Sequence, residues 1–311
     1  LPTGEAASRP LRADSTGWPA AVLDRALGAY LGLALGDALG ATVEFLTARE
    51  IVHHHGVHRD IVGGGWLKLP RGAVTDDTTM SLALGQALVD GGGWSLPAVA
   101  DAFVAWLRGK PVDCGNTCRR GIQRYIDDGS FHGPLNDGDG GNGALMRNLP
   151  VVLASLADEA ALAERSVLQA RLTHHHPQSD AATLAFARMT RALLLDAPPA
   201  AVAQIAQELV RLHPAFRFDP YPGRASAYVV DTAQTVLHHY FAHDDFESCL
   251  VATVNRGGDA DTTGALAGML AGARCGAQAL PARWVDALDP HVAARIRAQT
   301  VALLALAGAA R

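Results

Sequence analysis

The stretch AAVLDRALGAYLGLALGDALG, residues 20–40, decides the architecture. Its apolar residues Leu23, Leu27, Leu31, Ala34 and Ala38 recur at steps of three and four, the period of an α-helix. Gly28, Gly32, Gly36 and Gly40 recur every four residues and so lie along one face of that helix. Each glycine weakens a helix by about 1 kcal/mol relative to alanine. Four in register therefore need a reason, and the smooth groove they leave invites another helix, or a ligand, to approach the backbone closely.

Working outward, helix-period runs continue over residues 80–88, 99–107, 149–172, 180–195, 200–212, 227–239 and 285–307, and strand-like alternation is nearly absent. Hydrophobic residues make up 49% of the 311 and charged residues only 18%. Alanine and leucine dominate, and both favour helix over strand. No fixed-period repeat or linker interrupts the chain. The sequence predicts one all-α domain over residues 20–311, built of many helices, behind a loose tail over residues 1–19. The most loop-like internal stretch is residues 133–143.

The formal net charge is −5 with no basic stripe, which argues against a nucleic-acid partner. Four cysteines in a chain this long make no disulfide framework and point to a reducing, cytoplasmic compartment. The pair Cys114 and Cys118 lacks a second pair at zinc-ribbon spacing. No transmembrane segment is expected: the most apolar candidate, residues 264–280, is broken by Arg274 and rich in glycine. The opening residues have no apolar core of a signal peptide.

Two acidic clusters stand far apart, Thr75-Asp76-Asp77 and Asp259-Ala260-Asp261-Thr262, and each opens a helix. Either alone reads as an ordinary N-cap, where one oxygen suffices and an acid suits the helix dipole. Together they crowd more carboxylate and hydroxyl oxygens than capping requires. Like charges repel unless a cation neutralises them, and an all-oxygen set suits a hard ion such as Mg²⁺ or Mn²⁺. Two such ions bridged by a carboxylate would satisfy the cluster.

The segments Gly36-Asp37-Ala38-Leu39-Gly40 with Glu44, Thr75-Asp76-Asp77-Thr78, Gly141-Asn142-Gly143-Ala144-Leu145-Met146-Arg147 and Gly257-Gly258-Asp259-Ala260-Asp261-Thr262-Thr263-Gly264 resemble the ADP-ribosylglycohydrolase family, in family order, across residues 24–308. Three further segments are similar to the bacterial branch of that family that acts on dinitrogenase reductase. They are Gly63-Gly64-Gly65-Trp66, Pro111-Val112-Asp113-Cys114-Gly115-Asn116-Thr117-Cys118-Arg119-Arg120 and Ser226-Ala227-Tyr228-Val229-Val230-Asp231-Thr232.

The resemblance implies a hydrolase that removes ADP-ribose from a modified arginine, around two divalent ions, Mn²⁺ or Mg²⁺. Thr75, Asp76, Asp77, Asp259, Asp261 and Thr262 would hold them. The implied protein substrate is ADP-ribosylated dinitrogenase reductase, the iron protein of nitrogenase. A P-II-type regulatory protein, able to hold the enzyme near the membrane, is the implied partner.

Cleavage through an oxocarbenium-like sugar needs acids near the reacting carbon. The family resemblance implies Asp113, in a loop, as the acid/base, with Glu44 nearby to position water or a metal. Glu44 follows Asp37 by seven residues, so a continued helix would put both on one face. Asp139, Gly141, Asn142 and Gly143 run into an expected helix at residues 144–146, where exposed N–H groups would cradle phosphate. Asn116 and Thr117 would bond ribose or phosphate oxygens, Tyr228 would stack on adenine, and the resemblance implies that His174 faces the pocket. His53, His54 and His55 read as surface, because consecutive helical residues diverge. Two other readings fit parts of the sequence: hydrolysis of O-linked ADP-ribose, and a module that binds ADP-ribose without cleaving it. Two metals would also fit a phosphohydrolase, but the surrounding motifs do not.

Overall fold

The glycine stripe finds its partner near the other end of the chain. The computed structural model describes residues 16–309, in which there are fourteen α-helices and no strand, only three isolated bridges. In chain order they are α1 Ala20–Gly40, α2 Ala48–His55, α3 Asp76–Asp90, α4 Leu96–Arg108, α5 Asn116–Asp128, α6 Leu149–Ala154 and α7 Glu159–Arg171. There follow α8 Pro177–Leu194, α9 Pro199–Leu212, α10 Val229–Ala242, α11 Phe246–Val254, α12 Ala260–Cys275, α13 Ala282–Val285 and α14 Pro290–Ala309.

Helices α1 and α12 form the most extensive helix pair of the fold and are buried along almost their whole length. Gly28 faces Gly272, Gly32 faces Gly268, Gly36 faces Gly264 and Gly40 faces Ala260, so the two run antiparallel. A Cβ on Gly36 would lie 1.9 Å from the Gly264 carbonyl oxygen, and one on Gly268 would lie 2.0 Å from that of Gly32. Only hydrogen fits. The close approach brings the end of α1, with Asp37, against the start of α12, with Asp259 and Asp261. The same stripe that builds the core thus assembles the acidic site.

Gly268→Ala tests this. The added methyl meets backbone, which cannot rotate away, so a loss of about 3 kcal/mol is expected. Thermal melting should show the midpoint lowered by on the order of 5–10 °C. An unchanged midpoint would mean the pair can separate freely.

Several boundaries differ from the sequence expectation. The run 149–172 is two helices, because Asp158 turns the chain and caps α7 by accepting from the Ala161 N–H at 3.0 Å. The run 285–307 is also broken: Asp289 accepts from the N–H groups of His291 and Val292, starting α14 afresh at Pro290. Residues 144–146 form turns and not a helix. Helix α2 was not expected; a reciprocal Thr47–Glu50 capping box starts it. Helices α5 and α11 are also additional. The loose-tail expectation stops short of residue 19, since Trp18 is buried and its indole donates to the Leu304 carbonyl at 3.0 Å. Residues 1–15 of that tail lie outside the described residues.

Candidate active site

Asp37, buried in the last turn of α1, organises the first acidic cluster. It accepts from the backbone N–H and hydroxyl of Thr75, at 3.0 and 2.9 Å, and from those of Thr78, at 3.1 and 2.6 Å. The Thr75 hydroxyl is therefore not spent as a helix cap, and the start of α3 is clamped to α1 instead. Asp76 and Asp77 follow on the first turn. The Asp76 carboxylate accepts from the Gly115 N–H at 3.3 Å, and that of Asp77 from the Thr262 hydroxyl at 3.2 Å.

The second cluster comes from the start of α12. Gly257 and Gly258 both take positive φ, which glycine adopts without strain. Asp259 accepts from the Asn142 amide at 2.5 Å, and Asn142 also donates to the Thr232 hydroxyl at 2.9 Å. Asp261 accepts from the Thr262 N–H at 2.8 Å. Glu44 reaches the same place by another route than the one expected. Helix α1 ends at Gly40, and the turn over residues 41–45 folds Glu44 back toward α12. One oxygen each of Glu44, Asp259 and Asp261 lie within 4.8 Å of one another.

These residues line a cavity of about 300 Å³, together with Asp76, Asp113, Asn116, Thr117, Gly141, Asn142, Gly143, His174 and Thr262. Thr75 and Asp77 lie buried behind the wall. Asp113 is half-buried in its loop and accepts from the Cys114 N–H through Oδ1 at 2.8 Å. Asn116 and Thr117 open α5, which has no side-chain cap. Asp139 does not line the cavity: its carboxylate is occupied by Arg120 at 2.5 Å and the His175 N–H at 3.3 Å, so it anchors the loop. Tyr228 stands exposed at the start of α10, beside Gly140, with its hydroxyl on Gln178. Asp37, Phe45 and Trp66 were not singled out from sequence. Asp37 and Trp66 carried an advance signal in their places in the Gly-Asp and Gly-Gly-Gly-Trp segments, and Phe45 carried none.

Burial is the leading cause of every carboxyl shift here. It pushes Asp37 up to about 6 against the opposing Thr78 and Thr75 hydrogen bonds. It pushes Asp76 up to about 7, aided by the charges of Asp113 and Asp37. Glu44 rises to about 8 through burial, then the carboxylates of Asp259, Asp113 and Asp76, against the hydrogen bond from the Trp66 indole. Asp77 and Asp261 rise well above the carboxylate range for the same reasons, and Asp259 is also raised. Burial likewise pushes Cys118 up to about 12 and Cys114 to about 11, so neither supplies a thiolate near neutrality. His174 is held neutral by burial and the nearby Arg147 charge.

Such a set is unfavourable on its own and fits a hard cation. Every donor is oxygen, and Asp77 Oδ1 is buried without a hydrogen-bond partner. A divalent ion would satisfy that orphan and offset the repulsion.

The ADP-ribosylglycohydrolase pattern matches residues 18–310. The chain is 55% identical to the ADP-ribosyl-[dinitrogen reductase] glycohydrolase of Rhodospirillum rubrum, over 92% of this chain and 98% of that one. It is 33% identical to an ADP-ribosylarginine hydrolase of Pseudomonas putida, over 86% of this chain and 75% of that one. A solved structure described as an ADP-ribosylglycohydrolase-related protein complex superposes with a TM-score of 0.81 at 36% identity. That match covers 92% of this chain and 99% of the other.

Proposed function

The chain belongs to the ADP-ribosylglycohydrolase family, and on that premise we propose that it removes ADP-ribose from a modified arginine on a protein. Its protein substrate is ADP-ribosylated dinitrogenase reductase, the counterpart of what the Rhodospirillum rubrum relative's name states. The observation that carries this reading is the convergence of Glu44, Asp259 and Asp261 on the cavity that Asp113 also lines.

Members of the family are generally metal-dependent, and the six oxygen-bearing residues expected from sequence, joined by Glu44, would hold two divalent ions, Mn²⁺ or Mg²⁺. When bound, such ions grip ribose hydroxyls and polarise water. The chain's own residues do the rest. The uncapped start of α5, with Asn116 and Thr117, offers N–H groups to the diphosphate. The turn at Gly141, Asn142 and Gly143, expected to cradle phosphate, lines the same cavity without leading into a helix. A Cβ on Gly143 would lie 2.7 Å from the Cys118 sulfur, so only glycine leaves the turn its place. His174 is the neutral partner at that wall, and Tyr228 lies beside the turn to stack on adenine.

In the reaction, water oxygen bonds to ribose C1″ as the bond to the guanidine nitrogen breaks, and that nitrogen gains a proton. Asp113 Oδ1 is held by the Cys114 N–H, which leaves Oδ2 to take the proton from water and deliver it to the leaving nitrogen. Asp113→Asn should lower turnover on the order of 100-fold while the metal-induced rise in melting temperature persists. Full activity in that variant would remove Asp113 from proton transfer.

The deciding assay incubates the protein with Mn²⁺ and arginine-ADP-ribosylated dinitrogenase reductase and measures free ADP-ribose. Release is expected. Tight ADP-ribose binding without release would make the protein a binding module, and release only from serine-linked substrate would move it to O-linked chemistry. The fold and the relatives bring no support to the P-II-type partner. No helix among the described residues is long and apolar enough to cross a membrane.

A further inference from the structure

Glu44 is flanked by two large exposed aromatic side chains whose ring faces have no part in the metal cluster or the ADP-ribose contacts proposed above. Phe45 is 62% exposed and Trp66 50%, and their rings meet at 5.4 Å with a 48° tilt. Phe45 lines the cavity. Its backbone has φ 63°, a left-handed conformation that a bulky residue rarely takes without outside support. That support is visible: the Phe45 N–H donates to the Gly258 carbonyl at 2.7 Å, tying it to the start of α12. Trp66 is fixed as well. Its indole donates to Glu44 Oε2 at 2.6 Å, and the preceding Gly63, Gly64 and Gly65 all take positive φ. At Gly65 a Cβ would lie 2.3 Å from the Ala41 carbonyl oxygen. The loop and the turn are thus locked together to present two rings beside a carboxylate.

We propose that Phe45 and Trp66 form the seat for the guanidinium of the target arginine, and so set the preference for an arginine linkage. This deepens the function proposed above and rests on it. A guanidinium is planar, weakly hydrated and stacks on aromatic faces. Asp113, on the same cavity, places a carboxyl opposite that seat. Tyr228 stands elsewhere, against Gly140 at the start of α10, so the Phe45–Trp66 pair and Tyr228 are separate platforms. Through its bond to Glu44, Trp66 is also a positioning residue.

The test uses the full-length protein with Mn²⁺, N-linked ADP-ribosyl-arginine as substrate and ADP-ribose as product inhibitor. Phe45→Ala should raise KM about five- to tenfold and leave the inhibition constant of ADP-ribose within about twofold. Phe45→Tyr should restore KM, whereas Phe45→Leu, apolar without a π face, should not. An unchanged KM in Phe45→Ala overturns the proposal. So does a parallel rise in the ADP-ribose inhibition constant, which would assign the rings to adenine. If the unaltered protein releases nothing from the arginine-linked substrate while binding ADP-ribose, the function proposed above fails and takes this seat with it.

Discussion

Asp261→Ala is expected to abolish both turnover and the rise in melting temperature that Mn²⁺ gives the unaltered protein. Asp261 is 2% exposed, and one of its oxygens converges with those of Glu44 and Asp259. A cation loses a charged ligand that no neighbouring side chain replaces, and turnover should fall by at least 1000-fold, the order reached when a preorganised charge at the reacting centre is lost. The sign of the stability change separates ligand from scaffold. If Asp261 serves only the fold, the alanine variant melts lower even without metal. As a ligand, its removal takes one buried like charge from a crowded set, so the metal-free variant should melt no lower than the metal-free parent at pH 8. Melting curves with and without Mn²⁺, beside the release assay, read both quantities. A variant that keeps the full Mn²⁺ gain would remove Asp261 from the ligand set.

The architecture was legible because its central contact is written as a period. Glycine at every fourth position of residues 20–40 is hard to explain except by close approach, and α12 supplies it with Gly264, Gly268 and Gly272. What the period could not show is where helices stop. Residues 155–158 and 286–289 sit between apolar residues that keep step across the break, and only the capping by Asp158 and Asp289 marks it. Trp18 illustrates a different blind spot. A glycine- and proline-rich opening reads as loose, while burial of one indole depends on α14, which lies almost the whole chain away.

The site divides the same way. The acidic helix starts announced themselves by charge crowding, since two such starts exceed what capping needs. Asp37 did not, because one aspartate in an apolar helix carries no sign of its partners; those are Thr75 and Thr78 on another element. A continued helix would have put Glu44 on one face with Asp37, and the resemblance placed it near the metals; a turn ending in the left-handed Phe45 carries it instead. Asp139 shows the reverse error: a loop aspartate beside a glycine turn suggested a ligand contact, and Arg120 occupies it.

The same buried carboxylates give the metal-free protein a pH dependence of defined sign. Asp37, Asp76 and Glu44 are raised from their ordinary values to about 6, 7 and 8. A carboxyl raised in the folded state binds its proton more tightly there than in the unfolded chain. Its stabilisation is complete below the unfolded value and is lost as pH rises through the folded one. The window therefore runs from about pH 4 to about pH 8. The loss belongs to the interacting set of carboxyls and not to any one of them, and it lowers the melting temperature toward the alkaline end of that window. EDTA-treated protein should thus melt markedly lower at pH 8 than at pH 5, the opposite of what salt-bridged surface acids would give. A divalent ion must displace those protons to bind, so Mn²⁺ should raise the melting temperature far more at pH 8 than at pH 5. Asp76→Asn should flatten the metal-free profile, because its side chain keeps the hydrogen-bonding shape and carries no charge. A flat profile in the metal-free parent, or an equal Mn²⁺ gain at both pH values, would show that the carboxylates are already neutralised within the protein and do not await a cation.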